Sequence, residues 1–445
     1  MANGQPTLSS ASTAPQKEVL TGAFFWLSAF YLVYCARPGD WIPGMKYIPL
    51  AKITGICAFL GLLVSLGKTR RGFKDLPREA VYLIFMIVLL FAGALLSPVW
   101  KGGAFFRTLD FSKVAVAWVL TFLLVTNFER LRRIIFIQAG SVAVIGVVSI
   151  LKSRGSARLE GILGGIYSNP NDLAFALVLS LPFCLAFLLE TKNGMRKIAW
   201  LVAILMMSGA LFRTASRGGF ITLLVAGTVC LWHFGVKGKR FYLILATGFV
   251  GLVLALAFGG RLKDRFFAIS GEDIESRTEQ SAYGSFEERR ELMVIALNGI
   301  AHYPILGIGA HNFPNYSGKW RDVHMTYLQM GVEGGVPALV FYLLFFSSGF
   351  RNLRRIRKTK ELSSEVRLFA GALHSSLVGF VVGALFAPEA YQYFPYFTVA
   401  YTSVMMALTQ TKGQAACLPS QLSNAPKRQV EAYARNGRTS PVLVP

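Results

Sequence analysis

Several arginines, a histidine and an asparagine stand between the apolar runs of this chain in places where their chemistry could be used. The segment 286–301, FEERRELMVIALNGIA, carries Arg289 and Arg290 side by side. As a helix it would put Phe286, Met293, Ala296, Leu297 and Ile300 on one side, with Glu287, Glu288 and Glu291 on the other. Arginines beside the apolar side, with carboxylates turned away, suit an anion held under the helix. The plainer alternative is that both snorkel past that face to water or lipid headgroups. Arg217, in the segment RTASRGG at 213–219, is followed by Gly218 and Gly219, where a backbone can approach a ligand or a neighbouring helix closely. Its planar fork can pair two phosphate oxygens at once; the bland role is an interfacial anchor at a tight turn.

The stretch 152–172 holds Arg158 and ends in SNPND, a helix start with Asn169 as cap, Pro170 at the first position and Asp172 in the first turn. Structure alone accounts for Asp172. Asn171 could hydrogen-bond a sugar or a phosphate, because amides at a helix N-terminus attract anions. His324 lies where a long polar segment runs into DVHMTYLQMGVEGG. Its ordinary pKa near 6.5 suits it to take a proton from a hydroxyl at neutral pH. A helix starting there would place Tyr327, Leu328 and Gly331 on the same face, so Tyr327 becomes a second substrate contact. His302 and His311 are nearer rivals than His233 or His374, which fall toward the middle or far ends of apolar runs. Glu333 suits packing or the Gly334-Gly335-Pro337 break. No paired His or Asp pattern suggests a metal site, and the expectation is metal: none.

These residues must be held by membrane helices. Of the 445 residues 53% are hydrophobic and 16% charged, and the apolar residues recur in runs near the roughly 20 needed to cross a bilayer. Runs of this kind must be helices where they meet lipid, since every backbone polar group needs an internal partner. Twelve candidate spans follow, at about 22–37, 48–66, 79–97, 111–127, 134–151, 172–190, 198–212, 220–236, 241–259, 325–350, 368–387 and 395–410. The expected fold is all-α: about 12 transmembrane helices and one long outer loop carrying short helices. Residues 1–20 are expected to be a disordered cytoplasmic N-terminus, 21–410 the helical domain including the 260–323 loop, and 411–445 a disordered tail. The polar start is a poor signal peptide, so the first span should be retained.

The formal charge of +23 sits mostly in short loops. That is a topology signal rather than the concentrated basic face of a nucleic-acid reader, and no nucleic-acid partner is expected. Loops 67–79, 127–133, 190–197, 237–240 and 351–367 hold 21 Lys and Arg, against 10 in 37–47, 98–113, 152–171, 213–219 and 388–394. The first set should be cytoplasmic, with both termini inside and the 260–323 loop outside. Cys35, Cys57, Cys184, Cys230 and Cys417 lie singly and form neither a disulfide framework nor a metal motif.

The order of the pieces resembles the O-antigen ligase and O-antigen polymerase family of bacterial membrane glycosyltransferases. The resemblance covers roughly residues 155–350: the Arg158 loop leading to SNPNDLA, then SRGG, then RRELMVIALNGIAHYPILGIGAHNF, then HMTYLQMGVEGGVPAL. It departs from the family where His324 is followed by Met325 rather than Asn, and where Met293 replaces a common tryptophan. The resemblance implies an enzyme of the bacterial inner membrane, without cofactor, that moves a glycan from a polyprenyl-diphosphate carrier to a glycan, lipid or protein acceptor on the periplasmic face. It implies Arg158, Arg217 and Arg289 at the diphosphate and His324 assisting the acceptor hydroxyl. His311, in its own His-Asn pair, competes for that role. The alternative class is a multi-pass transporter or lipid-linked glycan flippase, whose site would sit near the bilayer midplane between repeated halves.

Overall fold

The computed structural model describes residues 21–64, 71–153, 158–161, 167, 169–258, 260, 277–359 and 362–416. The expected disordered segments, 1–20 and most of the tail, lie outside the described residues. So does 261–276, the first part of the long outer loop. Among the described residues every regular element is a helix.

In chain order the helices are α1 (Thr21–Ala36), α2 (Pro38–Trp41), α3 (Leu50–Val64), α4 (Arg78–Leu95), α5 (Lys101–Leu124), α6 (Phe128–Lys152), α7 (Pro170–Glu190), α8 (Gly194–Thr214), α9 (Arg217–Leu231) and α10 (Tyr242–Phe258). There follow α11 (Arg277–His302), α12 (Phe313–Ser317), α13 (Thr326–Lys358), α14 (Ser364–Gly383) and α15 (Tyr393–Ala416). A helix overlaps each of the expected apolar runs. Among the described residues seven helices are long and apolar enough to cross a membrane, namely α4, α6, α7, α8, α9 with its extension to Val236, α13 and α14.

The differences from expectation are local. α5 begins at Lys101, so most of the supposed 98–113 loop is helix. The loop at 213–219 shrinks to Ala215 and Ser216, because α8 runs to Thr214 and α9 starts at Arg217. α15 continues to Ala416, past the expected domain end at 410. α11 spans 26 residues, and its buried face overlaps the expected one, with Ala296 buried and Met293 and Ile300 packed against the same cluster. Leu292 and Ala296 are buried while Phe286 and Leu297 are exposed. Leu292 joins this face, and Phe286 and Leu297 fall outside it.

One end of the bundle is closely tied together. α7 and α9 start there, α13 begins and α14 ends there. Thr326 at the start of α13 donates its N–H to Ala384 O and its hydroxyl to Ala387 O, while Glu389 N donates to Thr326 Oγ1. Tyr167 OH donates to Cys35 O, and Ser97 Oγ to Ile308 O. We call this the site end. The far end carries other polar groups: Arg132 pairs with Glu190 and Glu365 at 3.3 and 3.2 Å. His233 and His374 meet at 3.0 Å there, next to Arg357 and away from the site.

A break in α13 shapes the site end. At Gly335 the backbone leaves helical geometry (φ 78°, ψ 172°), and Pro337 follows. The segment 304–309 repairs the exposed carbonyls and amides: Ile308 N donates to Val332 O and Gly309 N to Glu333 O, both at 2.9 Å, and Val336 N donates to Pro304 O at 2.7 Å. Backbone at membrane depth is tolerated only where such partners exist. A Cβ on Gly335 would stand 2.3 Å from Ile305 O, in a conformation that essentially only glycine adopts. We therefore expect Gly335→Ala to lower stability by at least about 1–3 kcal/mol, read as a fall in the melting temperature of the purified protein. An unchanged melting temperature would show that the break is not anchored this way.

Candidate functional site

The site end gathers side chains in two groups. The first is built on the abutting starts of α7 and α9. Asn169 caps α7 by accepting from Asn171 N at 2.9 Å, and Ser216 caps α9 by accepting from Gly219 N at 3.1 Å. Ser216 Oγ also donates to Asn171 Oδ1 at 2.8 Å, so the caps are joined. Arg158 donates from Nε to Thr214 O at 2.9 Å and from Nη2 to Asn171 Oδ1 at 3.2 Å. Arg217 is the first residue of α9 and half-buried. The glycines after it are required by packing. A Cβ on Gly219 would lie 2.7 Å from that of Ala174, and one on Gly218 would lie 2.6 Å from the Cβ of Phe386. The close approach expected of them is to α7 and the 384–392 turn. Two positive helix ends and two arginines thus share one small region.

The second group is built on α11 and the segment 318–325. Arg289 lies on the same face as the buried Leu292 and Ala296, whereas Arg290 is exposed. The adjacent arginines therefore separate into one that faces inward and one that faces out. Val323, Leu292, Ala296, Ile308, Phe313 and Val332 form a small hydrophobic cluster of their own. Arg321 pairs with Glu288, and Lys319 with Glu291 at 3.0 Å. The carboxylates expected to turn away from the site thus strap the His324 segment to the Arg289 helix.

His324 itself is not in a helix: Thr326 is the first helical residue of α13. Its Nδ1 is buried without a hydrogen-bond partner. Burial, then the charges of Arg289 and Arg321, push its pKa down to about 4. It is neutral at pH 7 and can accept a proton. Tyr327 donates its hydroxyl to Val381 O at 2.8 Å, which fixes the ring between α13 and α14. His311, at φ 55°, lies against Tyr391 with ring centroids 4.5 Å apart. Burial, then Arg107, lowers its pKa to about 4 as well. Its neighbour Asn312 is structural, donating to Ser97 Oγ, Ile308 O and Trp100 O.

Carboxylates link the two groups. Asp322, two residues before His324, lies within electrostatic reach of Asp172 on α7 and of Arg107, and burial raises its pKa. Glu389 is buried, and burial, then Asp172, raises its pKa well above the usual carboxylate range. Asp172 and Glu389 line the same small cavity with Tyr167 and Gln392. Glu333 Oε1 accepts from Phe313 N at 3.2 Å, and its other oxygen is buried without a partner. Sequence reasoning missed Arg107, Arg321, Asp322 and Glu389 as site residues, and it gave Asp172 only a helix-start role. Asp172 and Glu389 lie within electrostatic reach of each other. Among the described residues no three His, Cys, Asp or Glu side chains gather as metal ligands would.

Among the described residues this is an all-helical, polytopic membrane protein. Residues 201–343 match the family model described as O-antigen ligase, which supports the resemblance read from the motifs. The match runs from within α8 to the broken part of α13 and takes in Arg217, Arg289, His324 and Tyr327; Arg158 and Asn171 precede it. No curated protein matches the chain.

The environment of His324 fixes a pH signature. If the neutral imidazole is the active form, activity persists through pH 6.5 and falls only as the pH drops through about 4. Stability has the same sign. Between about pH 6.5 and 4 the unfolded chain binds a proton at this residue that the folded chain does not, so His324 lowers stability as the pH falls through that window. His324→Gln should therefore gain in melting temperature relative to wild type on going from pH 7 to pH 4.5. A wild-type activity limb centred at 6.5, or parallel pH dependence of the two melting temperatures, would contradict this environment.

Proposed function

We propose that this O-antigen ligase-type protein transfers an oligo- or polysaccharide from a polyprenyl-diphosphate carrier to an acceptor hydroxyl on the periplasmic face of the inner membrane. The observation that carries the reading is the meeting, at one end, of the α7 and α9 starts with Arg158 and Arg217 and of the Arg289 helix with the His324 segment. Cations that hold a diphosphate more tightly as it leaves than while it is bonded lower the barrier. The acceptor oxygen attacks the anomeric carbon as the bond from that carbon to the diphosphate oxygen breaks. The diphosphate departs with the electron pair, His324 takes the hydroxyl proton, and the anomeric configuration inverts. Donor cleavage drives the step, so no cofactor enters it.

The arginines already have protein partners, so binding exchanges contacts: Arg158 can turn its guanidinium from Asn171 Oδ1 to a phosphate oxygen. Asn171 and Tyr327 stand beside the two groups as further substrate contacts, and Arg290 serves the approach of anionic substrate from outside. An apolar groove of about 510 Å³ also opens at this end, lined by Phe30, Phe59 and Leu120, with Arg37, Lys52 and Lys113 among its lining residues. Tyr34, in its wall, stacks on Tyr393 at 4.8 Å, next to Phe394 of the Asp172–Glu389 cavity. It suits a polyprenyl chain. A transporter or flippase reading gains little support, because the suspicious residues cluster at one end rather than midway along the spans.

The test uses purified protein with a polyprenyl-diphosphate glycan. His324→Ala should lower transfer by roughly 10²–10⁴-fold, with His311→Ala much milder. Arg217→Lys and Arg289→Lys should each reduce turnover, because lysine keeps the charge but loses the two-donor fork. Transfer should survive exhaustive EDTA. Activity abolished by EDTA and restored by Mg²⁺ would overturn the arginine-only mechanism and direct attention to Asp172 and Glu389. Full activity in both lysine variants would reduce those arginines to anchors.

A further inference from the structure

A further cavity lies at the far end, where α6 and α8 start and α7 ends, about 30 Å along α7 from the candidate site by helix rise. It measures about 740 Å³ and runs between these three helices. Its inner wall is an aromatic slab. Trp200 stacks on Phe187 with centroids 5.1 Å apart, and Phe136 meets both rings edge-on at 5.4–5.5 Å. Trp200 is 8% exposed and Phe136 is 50% exposed, so the slab runs from the protein interior to the outer surface of the bundle. Between the rings, small residues leave room: a Cβ on Gly140 would meet nothing within 4 Å.

The rim of the cavity is cationic. Arg132, Arg133 and Arg196 line it. Arg132 is committed to Glu190 and Glu365, whereas Arg133 and Arg196 are exposed and no ion pair engages them among the described residues. Glu129 and Glu190 also line the cavity, so its charged lining is three arginines against two carboxylates, with Glu190 held by Arg132. The starts of α6 and α8, capped by Asn127 and Asn193, point their positive ends at the same place. A positive rim over an apolar slot at the end of a membrane bundle has the chemistry of a phospholipid: a phosphate at the surface and an acyl chain below it. Basic pockets between transmembrane helices take anionic headgroups for this reason.

We infer that the α6–α7–α8 cavity is a binding site for one anionic diacyl phospholipid of the leaflet at the far end, with its phosphate at Arg133 and Arg196 and an acyl chain along Phe136, Phe187 and Trp200. The charge decides the occupant, since a zwitterionic lipid would place its own cation against the arginines. The site is separate from the proposed transfer chemistry.

The experiment places the purified full-length protein in vesicles of phosphatidylcholine containing a minor fraction of phosphatidylglycerol brominated on one chain. The signal is the part of tryptophan quenching that disappears in Trp200→Phe. Wild type should be quenched by brominated phosphatidylglycerol at roughly tenfold lower mole fraction than by brominated phosphatidylcholine. The Arg133→Gln/Arg196→Gln double variant should bring that ratio close to one. Gly140→Leu, whose Cβ would meet nothing within 4 Å and whose side chain occupies the slot while the rim arginines stay in place, should remove Trp200 quenching by either lipid. Equal quenching of wild type by the two lipids would overturn the proposal, as would a preference that survives in the double variant. Displacement of the brominated lipid by millimolar inorganic phosphate would also overturn it, by showing a free-anion site.

Discussion

The site end depends on the break in α13. A helix interrupted at Gly335 exposes the carbonyls of Val332 and Glu333 and the amide of Val336, and the 304–309 segment satisfies all three. Several consequences follow from that docking. Gly307 and Gly309 take positive φ to bring the segment against α13. Ile308 then enters the small cluster under α11, and its carbonyl accepts from Ser97 and Asn312, which ties this segment to the end of α4. Glu333 is turned so that one oxygen holds Phe313 N. Backbone satisfaction in an apolar setting thus positions α11, and with it Arg289, against the segment that carries His324.

The electrostatics follow from the same burial. Burial, then the charges of Arg289 and Arg321, lowers the pKa of His324 and keeps its imidazole neutral. Glu389, buried opposite Asp172, is pushed the other way and holds its proton more tightly. Outside the cluster, where Glu288 and Glu291 are better solvated, carboxylates pair with Arg321 and Lys319 and serve as straps. Charges of one sign therefore do different work at different depths.

Much of this was legible in the sequence because it is local. The Asn169 cap with Pro170, the glycines after Arg217, the break at Gly334-Gly335-Pro337 and the apolar runs all express rules that act within a few residues. What was misread depends on distant partners. The buried side of α11 is set by the cluster with Ile308 and Val332, so Leu292 faces inward although Phe286 and Leu297 are equally apolar. The helix after His324 starts at Thr326, next to the expected 325, and hydrogen bonds from Thr326 to Ala384 and Ala387 fix that start. Glu389 and Asp322 carry no local signal; only the meeting of the 384–392 turn with α7 and α13 brings them to Asp172. Of the twelve expected spans, seven meet the length and hydropathy that a crossing requires among the described residues. α3 and α10 are apolar but shorter, and in such helices composition alone does not decide.

The central claim is that Arg217 and Arg289, from helices far apart in sequence, hold one leaving diphosphate. It is tested most directly by the affinity of purified protein for polyprenyl diphosphate compared with polyprenyl monophosphate of the same chain length, in wild type and in Arg217→Ala and Arg289→Ala. The account predicts tighter binding of the diphosphate in wild type and loss of that preference in each variant. Equal affinity for the two lipids in wild type, or a preference that survives both substitutions, would contradict it.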